Sequence, residues 1–233
     1  MKLNLFRRTV LTFLFSAVFS ISFSSINAQE FDVGADLVSS YVWRGQIVGG
    51  ACVQPGLEFT KGSFFIGTWA SVDIQEKDNT ELDTYLGFSF SDITVSFYDY
   101  FYDWANVPYL RNWTDNHSGE VILEYDFSEI IPLTFTWGTF VYNDENYSSY
   151  AELAWSFNVG ESECSVFAGM TPWKGIYADK ISLVNLGLKV SKEIKMGDFG
   201  IPAFAAFYLN PVKAGIPKLI NQDGACFVLG LSI

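Results

Sequence analysis

The sequence predicts an all-β protein, a closed antiparallel up-and-down transmembrane β-barrel of about 12 strands. Three observations lead to this prediction. Bulky apolar residues alternate with polar ones over stretches of about ten residues, short and long connections follow these stretches in turn, and the chain holds 22 Phe, 12 Tyr and 7 Trp. Alternation places successive side chains on opposite faces of a strand, so each strand has one apolar and one polar face.

The first 28 residues have the pattern of an export signal, and we expect that they are not part of the folded domain. Basic residues (Lys2, Arg7 and Arg8) precede an apolar stretch at 10–23, and small residues lead up to Ala28. This order is typical of a secretory signal peptide, and the apolar stretch is short for a membrane anchor. We therefore predict a signal peptide over 1–28 and an outer-membrane β-barrel domain over 29–233.

The charge balance excludes one class of partner. Without residues 1–28 the chain holds 11 basic and 26 acidic residues, and so strongly acidic a surface predicts no binding to nucleic acid. No later apolar run reaches the roughly 20 residues that a membrane helix requires. Insertion into a membrane therefore requires a closed barrel, because only helices and closed barrels satisfy their backbone groups in lipid.

The strands follow from the alternation. In the stretch 149–159, Leu153, Trp155 and Phe157 share one face, while Glu152 and Ser156 share the other. Comparable stretches predict strands at 31–43, 52–61, 63–73, 81–91, 93–102, 118–127, 132–142, 149–159, 163–171, 181–191, 201–209 and 224–233. A strand of a soluble antiparallel sandwich gives the same local signal, so alternation alone does not distinguish the two folds.

The connections between the predicted strands distinguish a barrel from a sandwich. Tight turns at 61–62, 91–92, 128–131 and 160–162 alternate with longer polar connections such as 103–117, and the connection at 191–200 is a long exception among the short ones. Outer-membrane barrels have this arrangement of short periplasmic turns and longer outer loops. A Greek-key sandwich has no reason to alternate in this way.

The polar faces predict an acidic lumen. The candidate lumen and selectivity residues are Arg44, Glu58, Asp36, Glu120, Glu124, Asp126 and Glu152. An acidic lining favours cations. Because 12 strands lie between the filled 8-stranded barrels and the open 16-stranded ones, the pattern leaves open whether the lumen is a narrow pore or is plugged by paired side chains.

No residue pattern points to catalysis, a cofactor or a metal. The only histidine is His117, and the adjacent Ser118 faces the opposite side of an extended strand. We therefore expect a solvated loop histidine and no enzyme. Three cysteines, Cys52, Cys164 and Cys226, have no metal-ligand spacing. A disulfide between Cys52 and Cys226 is left open.

The segment 36–71 resembles a known family. Its motifs are Tyr41 to Gly45 (YVWRG), Gly56 to Phe59 (GLEF) and Gly67 to Ser71 (GTWAS). On these motifs the first three strands resemble the TorF-type porins of Gram-negative bacteria. The resemblance implies a location in the cell outer membrane, a transport role, and contacts with outer-membrane lipid and the barrel-assembly machinery. One departure is the last residue, Ile233, where barrel proteins commonly have an aromatic residue.

These observations predict a porin-like channel for small hydrophilic solutes or ions, with a preference for cations. One alternative is a non-conducting surface barrel used for adhesion or ligand binding through the aromatic loop 103–117. Two further alternatives are a lipid-modifying barrel enzyme and a soluble secreted sandwich.

Overall fold

The computed structural model describes residues 29–76, 79–102, 106–110, 116–197, 199–212 and 224–233. The predicted signal peptide, 1–28, lies outside these ranges. Within them the strands are β1 (Gln29–Val38), β2 (Tyr41–Trp43), β3 (Gln46–Gly49), β4 (Cys52–Lys61), β5 (Phe64–Asp73), β6 (Thr80–Phe90), β7 (Ile93–Tyr102), β8 (His117–Asp126), β9 (Leu133–Tyr142), β10 (Ser149–Val159), β11 (Ser162–Thr171), β12 (Ser182–Met196), β13 (Phe199–Leu209) and β14 (Ala225–Ser232). Over the same ranges, no helix is long and apolar enough to cross a membrane.

Twelve of these strands close into one barrel. Each of them pairs antiparallel with its neighbours, in the order β1, β14 and then down the chain to β4. Closure comes from β1, which pairs with β14 on one side and with β4 on the other. The predicted closed antiparallel up-and-down barrel of about 12 strands is confirmed, and β2 and β3 form a separate two-stranded sheet.

The wall of the barrel is apolar on the outside. In β14, the side chains of Phe227, Leu229 and Leu231 are 60%, 55% and 41% exposed, whereas the intervening Val228 and Ser232 are buried. Large exposed apolar residues recur around the wall, among them Phe31, Leu57, Leu86, Phe97, Leu123, Leu153, Val166, Leu188 and Phe207. The period of two in the sequence therefore becomes an apolar outer surface and an interior of buried polar and aromatic side chains.

The long connection that was predicted at 191–200 is in fact short. Strand β12 continues to Met196 and pairs with β13 as far as Phe199, so only residues 197–198 connect the two strands. The prediction that this strand ends at 191 was wrong because residues 192–195 have a charged sequence. Hydrogen bonds between the strands hold this exposed extension together, and they do not require an apolar pattern.

The predicted end of the first strand, at residue 43, was also wrong. Strand β1 stops at Val38, and β2 and β3 form a hairpin whose tip is Arg44 and Gly45. Both tip residues have positive φ angles, 49° and 78°, as a two-residue type I′ turn requires. A Cβ atom on Gly45 would overlap the carbonyl oxygen of Val184. Arg44 is therefore at the tip of a hairpin and not at the top of the first barrel strand.

Candidate functional site

The β2–β3 hairpin crosses the interior of the barrel. It leaves the wall between β1 and β4, and β9 and β10 lie on the opposite side in the barrel order. The guanidinium of Arg44 contacts Glu120 on β8 and lies 4.8 Å from the ring centre of Tyr150 on β10. The Trp43 ring lies 6.3 Å from that of Phe140 on β9. The hairpin tip therefore reaches the far wall through the lumen.

A buried ion pair holds the tip in place. Arg44 Nη1 lies 2.6 Å from Glu120 Oε1, and Nη2 lies 3.0 Å from Oε2. The hydroxyl of Tyr100 donates to Glu120 Oε2 at 2.6 Å, and the hydroxyl of Tyr177 accepts from Arg44 Nη1. Both charged side chains are almost fully buried. A buried ion pair is stable only when such additional hydrogen bonds satisfy its remaining polar atoms.

Aromatic rings and one glycine complete this contact. The Arg44 guanidinium lies 4.6 Å from the ring centre of Trp43, a cation–π distance. Burial raises the pKa of the Tyr177 hydroxyl, in the connection after β11, so this group stays protonated at neutral pH. Gly138 on β9 leaves the space that the Glu120 carboxylate occupies, because a Cβ atom there would overlap it.

A cavity of about 200 Å³ lies within the lumen beside the hairpin. The carboxylates that line it are those of Asp36, Asp83, Glu124 and Glu152. Its basic lining residues are Arg44, which is paired with Glu120, and Lys189 on β12. The cavity is therefore predominantly acidic.

Four of the seven predicted lumen residues line this cavity: Arg44, Asp36, Glu124 and Glu152. Asp36 accepts a hydrogen bond from Ser232 at 2.7 Å, across the seam between β1 and β14. Glu152 accepts hydrogen bonds from Tyr150 and from the amide of Asn185. These two carboxyl groups are therefore hydrogen-bonded by neutral donors from the wall.

The other three predicted residues have different surroundings. Glu120 forms the buried ion pair with Arg44 and is not among the residues that line the cavity. Glu58 accepts hydrogen bonds from Tyr85 at 3.0 Å and Thr60 at 3.1 Å. Asp126 accepts from the backbone and the hydroxyl of Ser128, both at 2.9 Å, and so caps the connection between β8 and β9.

The aromatic partners of Arg44 and the role of Asp83 were not among the predicted site residues. Alternation alone places Asp83 on the inner face of β6, so the sequence carried that signal. Tyr100 and Tyr177 lie 56 and 133 positions after Arg44 in the chain, and no local pattern connects them with it.

His117 lies on the outer side of the wall, and the expectation of a solvated loop residue was wrong. It is the first residue of β8 and is fully buried. Its Nδ1 atom lies 2.9 Å from both carboxylate oxygens of Asp99, and its Nε2 atom lies 2.9 Å from the carbonyl oxygen of Tyr109. Both ring nitrogens lie within hydrogen-bond distance of protein oxygen atoms, so neither is left open to a substrate.

Tyr109 covers this pair. Its hydroxyl donates to Asp99 at 2.6 Å and lies 2.9 Å from the hydroxyl of Thr84. Burial, together with the hydrogen bond to Asp99, raises the pKa of the Tyr109 hydroxyl. Residues 106–110 are the described central part of the long connection after β7, and Tyr109 fixes them against the outer wall.

Comparisons with known proteins leave the family open. No family model matches the chain, and no curated protein shows significant similarity to it. Among the described residues, no group of three or more His, Cys, Asp and Glu side chains is arranged to hold a metal ion. The cysteines Cys52, Cys164 and Cys226 are free thiols.

Proposed function

We propose that this protein is an outer-membrane barrel of a Gram-negative bacterium and forms a narrow, porin-like channel for small hydrophilic solutes or ions, with a preference for cations. The acidic cavity inside the closed barrel is the observation that carries this proposal. Four carboxyl groups line it against two basic residues, Arg44 and Lys189, and an acidic lining raises the local concentration of cations.

The apolar outer wall supports the membrane location. An exposed apolar surface on this scale is rare on a soluble monomer, and in a bilayer it contacts the hydrocarbon chains of the lipid. Closure of the barrel gives every barrel strand a hydrogen-bonded partner on both sides, as a sheet in lipid requires. The export signal at 1–28 and the resemblance to TorF-type porins favour the same location and imply assembly by the barrel-assembly machinery, and both stay predictions.

The hairpin makes the proposed path narrow. Its tip spans the lumen, and the remaining cavity measures about 200 Å³. In the proposed channel, solutes pass beside the hairpin or require it to move away from Glu120. The Arg44–Glu120 pair therefore controls the width of the path.

Ion selectivity in a planar bilayer tests the proposal. The refolded protein should show a reversal potential that favours K⁺ over Cl⁻ in a KCl gradient. Changing both Glu124 and Glu152 to Gln should move this potential toward zero, because two acidic groups are lost from the lumen lining. The matched control is Glu161→Gln, which removes one charge from an exposed turn. Equal selectivity in all three proteins would contradict the assignment of the lumen residues.

The non-conducting surface barrel is the second candidate, and the inserted hairpin is the observation that favours it. Complete absence of conductance, together with loss of ligand or cell binding when the loop 103–116 is shortened, would support that function. A catalytic function receives no support from His117, since both of its ring nitrogens are engaged.

A further inference from the structure

Asp83 is a buried carboxylate with one unpaired oxygen. It lies on the inner face of β6, directly opposite Trp69 of β5 on one side and Tyr100 of β7 on the other. Only 5% of the residue is exposed, and Oδ1 has no hydrogen-bond partner. Asp83 is one of the residues that line the lumen cavity, and its unpaired Oδ1 atom is itself buried.

Aromatic rings surround this carboxylate. Trp69 and Tyr100 flank it on the two neighbouring strands, and both line the same cavity. The Tyr41 ring packs edge-on against Trp69, with ring centres 5.3 Å apart. The Tyr98 ring stacks on Tyr100, with ring centres 5.9 Å apart. Asp83 and four aromatic rings therefore line the same cavity.

No basic side chain that lines the cavity is placed to neutralise Asp83. Arg44 is engaged by Glu120, and Lys189 lies on β12, which is six strands from β6 in the 12-strand barrel order. Two residues before Asp83 on the same face, Glu81 is also buried, so a second acidic group lies nearby. An unpaired buried carboxylate is unfavourable unless it takes up a proton or gains a donor or a cation.

The surroundings select the kind of cation. The described residues offer no group of three or more ligands that would suit a metal ion, and aromatic faces bind organic cations through their negative π-surfaces. A carboxylate oxygen without a partner accepts the N–H donors of an ammonium group. A second unpaired acceptor, Oδ1 of Asn185, also lines the cavity, so the unsatisfied atoms of its lining favour a donor-bearing ligand.

We propose that the lumen contains a binding site for a small primary organic ammonium ion, held by the Asp83 carboxylate between the rings of Trp69 and Tyr100. This site identifies small primary ammonium ions as a class of solute for the proposed channel. It rests on the proposed function only because it treats the lumen as the path of the solute. The cavity of about 200 Å³ is smaller than the ~300–1,000 Å³ typical of pockets for drug-sized ligands. The ligand is therefore small.

Binding of n-butylammonium to the refolded full barrel in detergent tests this proposal. Isothermal titration calorimetry gives the affinity, and Trp fluorescence reports on the surroundings of Trp69. We expect saturable binding of n-butylammonium, and no saturable binding of 1-butanol, which has a similar shape but no charge. Acetate, which has the opposite charge, should not bind either.

Variants locate the site. Asp83→Asn should weaken n-butylammonium binding by about tenfold or more, since a charge-assisted hydrogen bond is lost. Trp69→Leu should weaken it by a smaller factor, since one π-surface is lost. The matched control is Asp92→Asn in the β6–β7 turn, which removes the same charge at the other end of the same strand pair and should bind as the unmodified protein does. The heat-dependent gel mobility of each protein checks that it is folded.

The possible outcomes separate the site from the channel. Absence of saturable binding, or equal affinity for n-butylammonium and 1-butanol, overturns the ammonium site even if Asp83→Asn does not fold. Conductance without binding overturns the site and leaves the channel standing. Binding that depends on Asp83 in a barrel that does not conduct supports the site and contradicts the channel.

Discussion

Arg44 and Glu120 form a two-point ion pair inside the barrel, with nitrogen–oxygen distances of 2.6 Å and 3.0 Å. The pair joins the tip of a hairpin that starts between β1 and β4 to the strand β8, on the far part of the wall. A contact between residues 76 positions apart therefore holds the tip of the inserted hairpin against the far wall.

Removal of Arg44 should destabilise the protein strongly. Arg44→Met leaves the buried Glu120 carboxylate without its cation, which costs about 3–5 kcal/mol. Urea unfolding of the refolded barrel, followed by Trp fluorescence, measures the change. The control is Lys192→Met at the exposed Lys192–Glu161 pair, whose side chains are 52% and 79% exposed, and it should cost at most about 1 kcal/mol. Equal losses in the two variants would show that the Arg44 contact is not a buried ion pair.

Removal of the hairpin should widen the path. When residues 41–49 are replaced by a short Gly-Ser linker, the single-channel conductance should rise, since the tip no longer spans the lumen. Tyr109→Ala is the comparison, because Tyr109 packs on the outer wall, and its conductance should equal that of the unmodified protein. A conductance unaffected by the loss of the hairpin would mean that solutes do not pass through the space it occupies.

The outer contact between Asp99 and His117 should anchor the long connection after β7. Asp99→Ala and His117→Ala should each speed protease cleavage within 103–116, because Tyr109 loses partners. The double variant should show a coupling energy of roughly 0.5–3 kcal/mol in unfolding experiments, as contacting residues do. Additive effects of the two changes would argue that the residues do not act as a pair.

A charge on the outer wall should be costly if that wall faces lipid. Leu153 is 49% exposed near the middle of β10, and Leu153→Arg should destabilise the barrel in lipid vesicles by about 2–4 kcal/mol. Val159→Arg, on the same face at the end of the same strand, should cost about 0–1 kcal/mol, because the bilayer penalty falls toward the interface. Refolding into vesicles of defined thickness followed by urea unfolding provides both values. Similar, small costs at the two positions would place the barrel outside the bilayer.

The amino-acid sequence by itself determined the fold class and the number of barrel strands, and it indicated which side chains share a face of each strand. These properties depend on a period of two and on the lengths of connections, and both are local features of the chain. Asp36, Glu124 and Glu152 were found in this way, because the parity of a residue along its strand decides the face on which it lies.

Only the tertiary structure decided what these side chains contact. The local alternation of 41–43 fits the end of a barrel strand and the arm of a hairpin equally well, so the folding of 41–49 into the lumen was missed. Arg44 meets Glu120, and His117 meets Asp99 beneath Tyr109, because barrel closure and loop packing bring distant segments together. Whether a polar side chain is paired or left open to a ligand depends on these distant partners, and the local pattern carries no information about them.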